Sequence, residues 1–223
     1  MPELLPGSAL WGRPGGDEST FDTDCSEHRK LKREGFMLSE KRQREQFEKT
    51  GNSPLAWYIS FIQLYTASKL LYDQFSKVDI YSINADNPMP PELMVFGVIK
   101  MIRAMALEDL FKAIWLKGYN NLVENGKYQG IPGTNDHDLI SIADKVSETI
   151  DCKINASERD LLKRLSFSIT GGRYPIQKLW EVTRIQSLYG GGKGPPTYWT
   201  FPKDEEFFES LILRLKHIFE EDF

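Results

Sequence analysis

The chain has 223 residues, enough for one domain with a sizeable core, and its 40% hydrophobic content excludes a wholly disordered protein. The formal net charge of -4 excludes a general attraction to phosphate backbones, so any contact with nucleic acid needs a local basic patch. The two cysteines, Cys25 and Cys152, lie far apart without neighbouring Cys or His pairs, which argues against a zinc site or a disulfide framework.

The first 50 residues are predicted to form a flexible or charged helical segment that precedes the main domain of residues 51–223. Residues 1–25 are rich in Gly, Pro, Ser and Asp, and they lack both a sustained apolar period and the pattern of a secretory signal. They are therefore expected to be a flexible lead-in, and the protein is expected in the cytoplasm. Basic and acidic residues are interleaved over residues 27–49, which favours a solvated helix or helix pair broken near Gly35; the alternative is a basic arm for RNA.

From residue 51 onward, the apolar spacing predicts helices. The first helix has a wide apolar face, formed by Trp57, Tyr58, Phe61, Ile62, Leu64, Tyr65, Leu71, Tyr72 and Phe75. Pro90 and Pro91 suit the first turn of a long second helix, which Gly118 is expected to end. This helix carries an apolar stripe that is more typical of a core than of a cofactor site: Met94, Val98, Met101 and Met105, continued by Leu107, Leu110, Phe111, Ile114 and Trp115.

Three further helices complete the predicted fold. Thr134, Asn135 and Asp136 are candidate caps of the third helix, while Ser157 and Asp160 have the spacing of a capping box for the fourth. Residues 180–189 fit a strand or a short helix, residues 190–199 fit an exposed turn, and residues 202–223 have the pattern of a closing helix. The predicted fold is therefore all-α, an antiparallel four- to five-helix bundle with no membrane-spanning segment.

Two short motifs follow this helix order. His137-Asp138-Leu139 stands at the head of the third helix, and Arg173-Tyr174-Pro175 follows the fourth. Together with the long aromatic helix and the glycine-rich loop before "DHDL", they make residues 55–175 resemble the HEPN family, helical domains named for nucleotide binding in higher eukaryotes and prokaryotes. The resemblance implies a nucleotide- or RNA-binding module in a toxin-antitoxin, defence or RNA-processing system. It also implies a homodimer and a nucleotidyltransferase-type partner protein.

The two motifs suggest one binding site. If the third and fourth helices pack antiparallel, His137 and Asp138 come near Arg173 and Tyr174. Unpaired amides at the helix N-terminus and the Arg173 guanidinium would then favour a phosphate, and Tyr174 would lie under a base. The alternative is structural: Arg173 bonds the last carbonyls of its helix or Asp138, Tyr174 packs in an exit turn, and His137 caps or packs.

The catalytic pattern of the family is missing. Catalytic members have an Arg four to six residues before a His, and none of His28, His137 and His217 has one. The chain is therefore predicted to bind without catalysis and without a metal or other cofactor. Two alternatives stay open: a metal-independent ribonuclease in which His137 is the base and Arg173 steadies the phosphate, or a structural domain that dimerises through its aromatic first helix.

Charged residues of the second helix are expected to be uninvolved. Glu108 and Asp109 are most simply solvent-facing, although Arg103 and Glu108 could form a polar feature on one face of the bundle.

Overall fold

The computed structural model describes residues 39–78, 95–118, 120–150, 152–171, 186–187, 193–194, 199 and 202–221. The chain divides into two compact units, Met1–Gln43 and Arg44–Phe223. In the first unit, the described residues 39–43 are helical and exposed. The fold and the site below belong to the second unit.

Six helices account for most of the described residues, and the predicted all-α bundle is confirmed. Their bounds are residues 39–51 for α1, Pro54–Phe75 for α2, Phe96–Lys117 for α3, Leu139–Ser147 for α4, Ala156–Gly171 for α5 and Lys203–Glu221 for α6. Two small antiparallel hairpins accompany them, β1 (Val123–Glu124) with β2 (Lys127–Tyr128) and β3 (Gln186–Ser187) with β4 (Lys193–Gly194). Among the ranges described, no helix is long and apolar enough to cross a membrane.

Helix α3 is the centre of the second unit. It packs against α2, α4, α5 and α6, and nearly every residue from Arg103 to Leu116 is buried. Such a helix needs an almost continuous apolar sequence because it has no solvent-facing side. The surrounding helices each contribute one buried stripe, which includes Phe61, Leu139, Ile142, Val146, Leu161, Leu165, Ile169, Phe208, Leu211 and Leu215.

The helix ends follow local capping rules. The Ser53 side chain accepts a hydrogen bond from the Ala56 amide at the start of α2, and Pro54 occupies the first helical position. Gly118 follows the last residue of α3, as the sequence predicted. The predicted first turn of that helix, at Pro90 and Pro91, lies outside the described residues, and the helix as described begins at Phe96.

Several details differ from the expectations. The later part of the predicted apolar stripe, Leu107, Leu110, Phe111, Ile114 and Trp115, is buried. Its earlier part is not the buried side, because Val98 is 42% exposed whereas Ile99 and Arg103 are fully buried. Asp138 caps α4 in place of the three residues named above. In α5 the capping box is formed by Asn155 and Glu158, each accepting a 2.9 Å hydrogen bond from the other's amide.

Candidate functional site

His137 occupies an unusual place at the head of α4. It is one of two described non-glycine residues in the left-handed region, with φ of +71°, and its side chain is 34% exposed. Non-glycine residues adopt this conformation rarely, and His is among the types that do so more often than most. The turn brings His137 out of the glycine-rich loop immediately before the N-cap residue, Asp138.

The first amides of α4 already have partners. The Leu139 amide donates to Ser166 Oγ at 2.9 Å, and the amides of Ile140 and Ser141 donate to Asp138 Oδ1 at 3.2 and 3.4 Å. The expected phosphate contact through unpaired amides at this helix end is therefore wrong. A phosphate near this helix has to find its donors on side chains.

A cavity of about 450 Å³ opens where α4 begins beside the later turns of α5. It is lined by Asp136, His137, Asp138, Ile140, Lys163, Ser166 and Phe167. The bond between Leu139 and Ser166 joins the two helices there, so the start of α4 lies next to α5 as the antiparallel arrangement required. Arg173 and Tyr174 lie outside the described residues, and the site they would share with His137 and Asp138 stays a prediction.

Glu108 of α3 holds the His137 ring. Glu108 Oε2 lies 2.9 Å from His137 Nδ1, and the Glu108 side chain is only 6% exposed. The expectation that Glu108 faces solvent is wrong, because α3 is surrounded by other helices at this level. Asp109 was also expected to face solvent, but it is half-buried, and its carboxylate accepts a 2.7 Å hydrogen bond from Ser60 Oγ.

A buried lysine stands behind Glu108. Lys112 Nζ lies 2.5 Å from Glu108 Oε1, one helical turn away, and lies over the rings of Trp57 and Tyr128 at 4.8 and 5.2 Å. The Tyr128 hydroxyl donates to Asp136 Oδ1 at 3.1 Å. A continuous set of polar contacts thus connects the cavity wall with α3 and the first hairpin. We call Glu108, Lys112 and His137 the polar triad.

The pKa of Lys112 reflects these contacts. Burial is the largest effect and lowers the pKa, but the charge and hydrogen bond of Glu108, together with the contact with Tyr128, raise the pKa above its ordinary value. Lys112 is therefore a cation at neutral pH, although it is almost completely removed from water.

Arg103 does not belong to this site. It makes a bidentate ion pair with Glu205 of α6, with both N···O distances 2.6 Å, rather than the expected feature with Glu108. Its guanidinium is fully buried and lies over the rings of Tyr72, Trp199 and Phe208. The pair joins α3 to α6, and neither residue lines the cavity beside His137.

The arrangement at His137 has a definite chemical capacity. Nδ1 is occupied by Glu108, while Nε2 has no hydrogen-bond partner among the described residues and is the ring nitrogen left for a ligand. Lys163 offers an exposed cation, and Ile140 and Phe167 give the cavity an apolar wall. Within the ranges that the structure describes, no group of three His, Cys, Asp or Glu residues is placed to hold a metal ion.

The sequence named His137 and Asp138, which line the cavity, but not Glu108, Lys112, Lys163 and Phe167 as site residues. The available signal was the Glu-x-x-x-Lys spacing of Glu108 and Lys112 inside a helix that is otherwise nearly continuously apolar. Charges at such positions have to be buried in pairs.

Comparisons of the chain with family models, with curated proteins and with solved structures found no match in any of the three. The case for a function therefore rests on the site itself.

Proposed function

We propose that the cavity beside His137 binds a nucleotide or a short single-stranded RNA segment, and that the chain acts as a binding module. The observation that carries the proposal is the cavity's composition: an apolar wall next to a cation and an oriented imidazole. Its volume of about 450 Å³ falls within the range of about 300 to 1,000 Å³ that is typical of small-molecule sites.

Each wall suits one part of such a ligand. Phe167 and Ile140 can contact the face of a base. Stacking on an aromatic ring does not depend on which base is present. Lys163 supplies a point charge for a phosphate, the role that the helix amides cannot take because they already donate within the protein. Asp136 and Asp138 would repel a phosphate, which therefore has to lie on the Lys163 side.

The HEPN resemblance supplies the wider setting of the proposal. In this setting the module works as a homodimer in a toxin-antitoxin, defence or RNA-processing system, together with a nucleotidyltransferase-type partner. The resemblance supports these assignments, and nothing in the geometry of one chain bears on them.

Binding is tested by isothermal titration of the full chain with ATP, GTP and a short single-stranded RNA at low and high salt. We expect saturable binding of at least one ligand. Lys163→Met should weaken it about tenfold, because one charge-assisted hydrogen bond contributes about 1.4 kcal/mol. The matched control is Lys153→Met, which removes an exposed lysine that does not line the cavity.

Two results would reject the binding proposal. One is the absence of saturable binding by all three ligands; the other is binding that Lys163→Met and Phe167→Leu leave unchanged. Arg173→Ala tests the sequence prediction separately, since it asks whether that guanidinium contributes to the same affinity.

The pairing of His137 with buried Glu108 favours a second candidate, a metal-independent ribonuclease. A carboxylate that orients one nitrogen of an imidazole is the arrangement that general bases use. In this reaction His137 Nε2 takes the proton of a ribose 2′-hydroxyl, whose oxygen attacks the adjacent phosphorus. The bond from phosphorus to the 5′-oxygen breaks, and that oxygen takes a proton from water.

Cleavage is tested with mixed RNA in the presence of a chelator. The second candidate requires product from the wild type and none from His137→Asn, a change that keeps a residue type tolerated in the left-handed region. If the wild type binds RNA and leaves it intact, the binding module stands alone.

A further inference from the structure

The two oxygens of Glu108 have different partners. Oε1 contacts Lys112 Nζ at 2.5 Å, and Oε2 contacts His137 Nδ1 at 2.9 Å. A carboxylate has no proton to give, so each partner has to be a donor. An ionised Glu108 therefore requires a hydrogen on His137 Nδ1, and the neutral ring then has a bare Nε2.

The charge of Glu108 decides this tautomer. A protonated Glu108 would have one hydrogen to donate, and Nδ1 could accept it, which would place the ring hydrogen on Nε2 instead. Burial favours the protonated form of a carboxyl group unless an opposite charge is close. Glu108 is 6% exposed, and a cation lies 2.5 Å from its Oε1.

Lys112 is that cation. It is as deeply buried as Glu108, and the rings of Trp57 and Tyr128 fix its position from the other side. Because Lys112 already balances the charge of Glu108, the imidazole does not have to be doubly protonated to do so. The other charged groups around His137 are Asp136, Asp138 and Lys163, which line the cavity with it.

We propose that Lys112 is a positioning residue, which holds Glu108 as a carboxylate and thereby fixes the His137 ring with its hydrogen on Nδ1 and Nε2 as an acceptor. The inference rests on the proposed function, because the tautomer matters only if the cavity takes a ligand. It also predicts how the ligand is oriented. The ligand group that binds His137 Nε2 is a hydrogen-bond donor, such as a ribose hydroxyl or a base N–H, and the phosphate binds Lys163.

The tautomer is measured directly by ¹⁵N NMR of the histidine rings in the ligand-free full chain. The pH is held at about 8, above the usual titration range of histidine. His137→Asn identifies the signals of His137 among those of His28 and His217. In the wild type we expect protonated Nδ1 and bare Nε2. In Lys112→Met we expect loss of the bare Nε2 signal, whether the ring becomes the other tautomer or doubly protonated.

Two variants separate the charge of Lys112 from its packing. Lys112→Gln has a similar length and can still donate a hydrogen bond, but it lacks the charge. It should therefore also lose the bare Nε2 signal, and it replaces Lys112→Met if that variant does not fold. Lys112→Arg keeps the charge and should retain bare Nε2. The matched control is Lys117→Met, which removes a lysine of the same helix that bonds the Phe219 carbonyl.

The inference fails if the wild type has its hydrogen on Nε2, or if bare Nε2 persists in folded Lys112→Met and Lys112→Gln. Either result is independent of any ligand. A correct tautomer without saturable binding would reject the proposed function alone, whereas binding with an unchanged tautomer in the Lys112 variants would reject this inference alone.

Discussion

At the scale of single residues, the backbone of His137 connects the loop to the site. Its φ of +71° is a conformation that costs an ordinary residue about 1 to 2 kcal/mol. Glycine would adopt it without that cost, yet a glycine has no imidazole to meet Glu108. A histidine in this strained position indicates that the contact between its ring and Glu108 has a role in the protein.

The strain can be measured with two substitutions. His137→Ala and His137→Gly both remove the contact with Glu108, but only glycine relaxes the left-handed backbone. We therefore expect the glycine variant to be more stable than the alanine variant by about 1 kcal/mol, from urea unfolding followed by circular dichroism. The control is Ile140, which is helical: there the alanine variant should be more stable than the glycine variant. Equal stabilities of the two His137 variants would show that no strain is stored there.

Site residues could be predicted where their role depends on sequence neighbours, and not where it depends on distant parts of the fold. His137 and Asp138 were named because they form a short motif at the predicted start of a helix, and such a motif is local in sequence. Glu108 was misread because its role comes from burial by other helices, and the same letters on a surface helix would face water. Nothing within a few residues of Glu108 distinguishes these two situations.

At the scale of helices, a side-chain hydrogen bond joins α2 to α3. Ser60 of α2 donates to the carboxylate of Asp109, which is half-buried. Burial raises the pKa of Asp109 to about 6, against the lowering effects of Ser60 and Lys112. The folded protein consequently holds a proton that the unfolded chain releases at lower pH.

This difference makes the packing of α2 on α3 dependent on pH. A raised pKa in the folded state favours folding below the ordinary value of 3.8, and the benefit is lost as pH rises through about 6. Asp109→Asn resembles the protonated form at every pH. Compared with the wild type it should be about equally stable near pH 4 and about 3 kcal/mol more stable above pH 7.

The comparison is made by urea unfolding over a pH series. Only the difference between the two proteins is interpreted, because other carboxyl groups titrate equally in both. Asp73→Asn, an exposed position on α2, controls for the loss of one negative charge and should leave the difference flat. A flat difference for Asp109→Asn as well would refute a raised pKa.

The helices themselves were predicted well, but the N-caps of α4 and α5 were not. The apolar spacing of a helix repeats over several turns, so many residues support the same prediction. A cap is a single residue, and several neighbouring residues are often of a type that could form it. In α5, both Ser157/Asp160 and Asn155/Glu158 have the required spacing. The second pair is used, and Glu158 also binds Arg214 of α6 at 2.9 Å, a contact that no local pattern contains.

At the scale of the whole second unit, α6 is tied to the rest by three arginines. Arg103 of α3 pairs with Glu205, Arg164 of α5 pairs with Asp204 at 2.6 and 2.8 Å, and Arg214 of α6 pairs with Glu158. Two of these pairs involve nearly or fully buried guanidinium groups. Buried ion pairs restrict the geometry in which helices can dock, since a shifted helix would leave charges without partners.

Removing one partner should therefore weaken the whole unit and not only the end of α6. Glu205→Ala leaves the Arg103 guanidinium buried among aromatic rings without its carboxylate, and we expect a loss of about 3 to 5 kcal/mol in the free energy of unfolding. Glu206→Ala, an exposed change in the same helical turn, should cost less than about 1 kcal/mol. Because α6 packs on α3 and α5, circular dichroism and tryptophan fluorescence should report one coincident transition in urea for both variants. Separate transitions, or similar losses for the two variants, would mean that α6 docks through its apolar face alone and that the buried pair adds nothing to the cooperativity of the bundle.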